Sequence, residues 1–212
     1  DFTLSPSGVT VVLGPNGASK TTLLRLMHGI ERLAAGSARW QVPLHRAQRR
    51  QAFVFQRPVV LKRSVIENIA YPLLVHGVDR TAAREAARGW AERVGLGAMT
   101  GRRATFLAAV DTRKLSLSRA LCQRPEVLFL DEPTTNLDGR AMREIEEILR
   151  RAVAEGTRLV MATHDLGQAR RLATETLLIH AGRIVEAGQA SEFFEAPKTA
   201  TGRAFLNGDI LE

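Results

Sequence analysis

The chain has 212 residues, 45% of them hydrophobic and 25% charged, which suits one substantial folded domain and excludes a disordered segment. Its net charge of +8 comes from arginines scattered along the chain (Arg49-Arg50, Arg102-Arg103, Arg150-Arg151, Arg170-Arg171), with no aromatic-interleaved basic stripe, so charge alone selects no nucleic-acid partner. No apolar run reaches the roughly 18 residues needed to span a bilayer, Asp1-Phe2-Thr3-Leu4 does not read as a signal peptide, and the single cysteine excludes an internal disulfide and Cys-based zinc sites. These features together predict a soluble, cytoplasmic protein whose Cys122 is a small buried hydrophobe.

In chain order, the β-branched run 9–13 predicts a buried strand that stops at Gly14. A helix is predicted over 20–29, with Leu23, Leu24, Leu26, Met27 and Ile30 on its apolar face. A second strand is predicted over 52–55, ending at Gln56. From Ser64 to about Leu121 the pattern is helical. Strands return at 127–130, 158–162 and 176–179, separated by helices over 140–154 and 166–173. A short late strand is predicted over 182–188 and a terminal helix within 196–212. Short apolar strands alternating with helices predict a parallel sheet covered on both faces, interrupted by a helical insertion.

The strongest motif is Gly14-Pro15-Asn16-Gly17-Ala18-Ser19-Lys20-Thr21-Thr22, placed between a strand and a helix. Glycines let the backbone curl until successive N–H groups converge on phosphate oxygens, and the helix N-terminus adds positive dipole charge. Lys20 would reach the β- and γ-phosphates, and the Thr21 hydroxyl would ligate Mg²⁺. Ser19 occupies the position where this pattern has a glycine. If that backbone needs a positive φ, serine costs roughly 1–2 kcal/mol there. The second motif is Val127-Leu128-Phe129-Leu130-Asp131-Glu132, an apolar strand delivering two adjacent carboxylates at its carboxyl end. Asp131 would hold Mg²⁺, and Glu132 would orient and polarise an attacking water as general base.

These motifs resemble the ATP-binding subunits of ABC transporters, over nearly the whole chain. The resemblance implies a P-loop α/β core with an inserted α-helical subdomain, the core spanning 1–57 and 122–212 and the insertion about 58–121. It implies ATP and Mg²⁺ as ligands, Gln56 as a residue contacting Mg²⁺ or the attacking water, and His164, in Thr163-His164-Asp165, as the γ-phosphate contact. Pro133-Thr134-Thr135-Asn136-Leu137-Asp138 resembles the segment whose aspartate crosses to a second subunit. It further implies transmembrane permease partners, a homodimer of ATPase subunits and a place on the inner face of the membrane.

Two departures qualify the resemblance. The family's Leu-Ser-Gly-Gly signature falls, without gaps, on Leu107-Ala108-Ala109-Val110-Asp111, where only Leu107 matches. The hydroxyl and both glycines that contact the opposite subunit's nucleotide are therefore replaced at Ala108, Ala109 and Val110, which predicts a weakened dimer. The family's adenine-stacking aromatic is expected upstream of Asp1. The leading reading is an ATPase subunit of an importer, similar to those for oxyanions such as tungstate. The alternatives are a nucleotide-binding module with impaired hydrolysis, and a soluble ABC ATPase acting on nucleic acid.

Overall fold

Continuous apolar runs bury both faces of a strand, and here they line up as one sheet. The computed structural model describes residues 2–209. Its strands are β1 (Val9–Leu13), β2 (Gln51–Val54), β3 (Val127–Asp131), β4 (Arg158–Ala162), β5 (Glu175–His180) and β6 (Arg183–Gln189). Across the sheet the order is β2-β3-β4-β1-β5-β6, parallel throughout except for β6. The sheet is thus not wholly parallel as expected. The two-residue turn Ala181-Gly182, with φ of 46° and 73°, folds β6 back beside β5.

Alternate side chains of each strand enter opposite layers. Val11, Leu13, Leu128, Leu130, Leu159, Met161 and Leu178 join one core with α5 (Ala109–Leu121), α6 (Gly139–Ala154) and α7 (Leu166–Leu172). Val12, Phe129, Val160, Ala162, Leu177 and Ile179 face the other way, onto Leu24 and Met27 of α1 (Lys20–His28). Both faces are therefore covered, as such strands require.

Between β2 and β3 the chain forms α3 (Val65–Val75), α4 (Arg80–Arg93) and α5. Ser64 starts α3 with a capping box, its hydroxyl accepting from Glu67 N while the Glu67 carboxylate accepts from Ser64 N. Asp79 caps α4. The wholly buried stripe Ala83, Ala87 and Ala91 presents α4's smallest face to the core. Helix α5 packs on α3 and α4 and also on β2, so it joins the helical layer to the sheet.

Several boundaries move. Strand β2 runs one residue earlier than expected and leaves Phe55 outside, and Ile30 lies beyond α1, exposed. A short helix, α2 (Leu44–Arg49), was not anticipated. The terminal helix expected within 196–212 is α9 (Ala200–Asn207), and α8 (Ala190–Glu195) just before it was not anticipated. Pro197, which lacks an N–H, stands between the two. Residues 210–212 of that expected helix lie outside the described residues, as does Asp1.

Cys122 is buried; its thiol donates to Ile69 O at 3.2 Å, and burial pushes its pKa up to about 12. Because the folded thiol keeps its proton where an unfolded one loses it, stability falls as pH rises from about 9 towards 12. At pH 8 an aromatic disulfide reagent should label native Cys122 only as fast as the protein opens, and urea should accelerate labelling steeply. Immediate labelling of the native protein would contradict this burial.

Candidate functional site

The register of β3, β4 and β1 sets the site. Val12 and Asp131 both pair with Ala162, so three neighbouring strands end at one level. Just beyond it, Thr163 N donates to Val12 O and Glu132 N donates to Ala162 O. The loop after β1, the carboxylates after β3 and His164 after β4 therefore leave the sheet side by side. Strand β2 pairs with β3 through Val54 and Leu130, which sends Phe55 and Gln56 out beside Asp131 and Glu132.

The loop 14–19 depends on left-handed backbone. At Gly14, with φ of 148°, a Cβ would lie 2.2 Å from Ile179 O, so only glycine fits against β5. Gly17 has φ of 81°. Ser19 has φ of 78° and ψ of 25°, and its side chain makes no cap bond to α1. The positive φ suspected from sequence is thus present at a serine. Ala18 is buried beneath the loop, Pro15 is half-buried, and Asn16, Gly17, Ser19 and Thr22 lie exposed. Lys20 begins α1 and curls back, its ammonium donating to Gly14 O at 2.8 Å and Pro15 O at 3.0 Å. Burial pulls the Lys20 pKa below its ordinary value, against the pull of Glu132 and Asp131.

Thr21 Oγ1 reaches Asp131 Oδ1 at 2.9 Å and Oδ2 at 3.0 Å. Asp131 is 3% exposed, and burial raises its pKa, with the Thr21 hydrogen bond opposing and the Glu132 charge adding. An adjacent hydroxyl and buried carboxylate are the hard oxygen donors that Mg²⁺ takes when substrate phosphates supply further oxygens. A cation there would offset the cost of keeping Asp131 ionised. No trio of His, Cys, Asp or Glu suited to a metal occurs among the described residues, so these donors fit a shared ion and not a protein-only cage.

Glu132 has φ of 50°, a left-handed turn directly after β3. Its Oε2 lies 2.7 Å from His164 Nδ1 and accepts from Thr135 Oγ1 at 3.0 Å. Sequence reasoning missed the Thr135 contact; its signal is the hydroxyl three residues after the glutamate. Lys20, Thr21, Asp131, Glu132 and His164 are thus brought together. Gln56 stands exposed at the adjacent strand end.

The expected dimer contacts lie elsewhere. Ala108 is the N-cap of α5, with φ of −65° and ψ of 164°, and has no side-chain oxygen to accept from the helix. Ala108 and Ala109 are exposed and Val110 half-buried. Asp138 caps α6, its Oδ1 accepting from Arg140 N at 2.9 Å and Ala141 N at 2.8 Å.

The strain at Ser19 gives a stability prediction. Ser19→Gly should raise the unfolding free energy by about 1 kcal/mol, since glycine enters left-handed backbone without the Cβ penalty. Urea denaturation of both proteins checks this, and a loss of stability in the glycine variant would contradict the assigned backbone.

Comparison with known proteins agrees with this geometry. The sequence profile of the ABC transporter family matches residues 1–135. A probable anion import ATP-binding protein of Haloferax volcanii is 34% identical over 98% of this chain and 80% of its own. The tungstate uptake system ATP-binding protein of Peptoclostridium acidaminophilum is 34% identical over 91% of this chain and 90% of its own. Among solved structures, cbiO1 of Clostridium perfringens superposes with a TM-score of 0.81 at 24% identity, covering 89% of this chain and 80% of that one. A dimeric ATP-binding cassette bound to ADP and Pi superposes with a TM-score of 0.79 at 20% identity, covering 89% and 88%. The extent of these matches, over a sheet that gathers Lys20, Asp131 and Glu132 at one end, shows that the chain belongs to the ABC transporter family of ATP-binding subunits.

Proposed function

We propose that the chain binds and hydrolyses ATP with Mg²⁺ and thereby powers an importer of a small anionic solute. The observation that carries the reading is the meeting of Lys20, Thr21, Asp131, Glu132 and His164 beyond β1, β3 and β4. The backbone N–H groups of residues 16–19 and the start of α1 receive phosphate oxygens, and Lys20 adds a full positive charge. Thr21 and Asp131, with Gln56 from the β2 side, would hold the ion. Bound Mg²⁺ supplies neutralisation of the charge on the transferring phosphoryl group. Glu132 accepts hydrogen bonds from the attacking water and polarises it as general base. His164 orients Glu132 through their 2.7 Å contact.

A transmembrane permease partner accounts for the apolar residues left exposed around α3: Val59, Tyr71, Leu74, Val75 and Val78. Among the described residues no helix is long and apolar enough to cross a membrane, so a spanning element is assigned to that partner. On this reading the chain works peripherally, on the inner membrane face. The two relatives that serve anion and tungstate uptake support an oxyanion as the solute.

A second reading, nucleotide binding with impaired hydrolysis, is favoured by one group of residues. Ala108, Ala109 and Val110 present methyls where the family offers a hydroxyl and free backbone to the other subunit's nucleotide, which weakens an ATP-driven homodimer. Losing such a preorganised donor costs about 2.7–4 kcal/mol of transition-state stabilisation.

Both readings are tested by steady-state turnover and ATP affinity in the presence of the permease partner. The triple change Ala108→Ser, Ala109→Gly and Val110→Gly should raise turnover by about a hundredfold or more. Glu132→Gln should bind ATP within a few-fold of the parent while losing turnover by about two orders of magnitude or more. A parent as fast as the triple variant would remove the impairment reading. Undiminished turnover in Glu132→Gln would remove the hydrolytic role of that residue.

A further inference from the structure

Arg113 is a buried cation that the site described above does not use. It lies in the first half of α5, is 7% exposed, and donates from Nη1 to Phe55 O at 3.3 Å. Phe55 is the first residue beyond β2, and its carbonyl is bonded directly to the nitrogen of Gln56. Because Val54 pairs with Leu130, that carbonyl leaves the sheet next to Asp131, in a strand spaced about 4.8 Å away. Among the described residues no carboxylate comes within ion-pair distance of Arg113, although Asp131 and Glu132 both act on its charge. A buried guanidinium without a paired carboxylate costs free energy, so a solvated position would serve packing alone better.

We propose that Arg113 is a positioning residue for hydrolysis: it clamps the backbone before Gln56 to α5 and holds Gln56 level with Asp131 and Glu132. The proposal rests on the ATPase reading and extends it to a residue outside the phosphate loop and the carboxylate pair. Helix α5 also packs on α3 and α4, so the same hydrogen bond connects the helical layer to the Gln56 backbone. Any shift of the helical layer would thereby be transmitted to Gln56 through one donor and one carbonyl. The charges of Asp131 and Glu132 favour the charged guanidinium against the cost of its burial.

The test compares the full chain with Arg113→Gln and Arg113→Lys, using ATP affinity, kcat, KM and amide hydrogen exchange over residues 55–57. Arg113→Gln should leave ATP affinity within about threefold and lower kcat by about tenfold or more, because a misplaced group costs rate and not binding. Its amides at 55–57 should exchange faster than the parent's even without nucleotide, while those of β4 stay protected and report an intact fold. Arg113→Lys, which keeps a charge and a donor, should recover part of kcat and of the protection. Equal kcat and equal exchange in Arg113→Gln would overturn the proposal. So would a loss of ATP affinity matching the loss of rate, or unprotected β4, since either makes the residue merely structural. If the parent itself hydrolyses no ATP, the ATPase reading fails separately. The clamp then stands or falls on exchange at 55–57 with and without Mg-ATP, where unchanged exchange in the variant overturns it.

Discussion

The pairing of Ala162 with both Val12 and Asp131 is the constraint from which the rest of the site follows. It fixes the ends of β1, β4 and β3 at one level: Asp131, Glu132 and His164 lie within two positions of the ends of β3 and β4, and Lys20 and Thr21 open α1 after the loop that follows β1. Slipping any of the three strands by one residue would exchange the side chains it sends to the two apolar layers, moving Phe129 or Val160 away from α1. The apolar core therefore specifies the active geometry: the residues that make the register unambiguous are the buried ones, not the polar ones.

Several polar choices around the strand ends cost stability. Asp131 is nearly buried and its pKa is raised, Lys20 is buried and its pKa lowered, and Arg113 is buried without an ion-pair partner among the described residues. Ser19 and Glu132 hold left-handed backbone that suits neither side chain. Costs of this kind concentrate where a ligand or a reaction compensates them. In this chain the Lys20 ammonium lies against its own loop carbonyls, and Thr21 and Asp131 satisfy each other. Phosphate oxygens and a divalent cation would replace these internal contacts with stronger, charge-compensated ones.

The core strands were legible in the sequence because buried parallel strands are uninterrupted apolar runs, and 9–13 and 158–162 carry no competing signal. The phosphate loop and the carboxylate pair were legible because each follows such a run directly. Helices α2 and α8 were not: both are one and a half turns long, and periodicity over six residues carries little information. The burial of Arg113 was equally hidden. In sequence it is one of many arginines in a helical stretch, and only the packing of α5 across β2 removes it from solvent. The carboxylate of Asp138 caps its own helix, a role that its motif did not announce.

The central claim is that one sheet end forms a nucleotide site completed by a cation. Titration calorimetry with ATP, in excess Mg²⁺ and then in a chelator, tests it most directly on the parent and on Lys20→Ala. The account predicts one ATP per chain, tighter with Mg²⁺ than without, and a large loss of affinity in Lys20→Ala. Binding that is indifferent to both Mg²⁺ and Lys20 would contradict it.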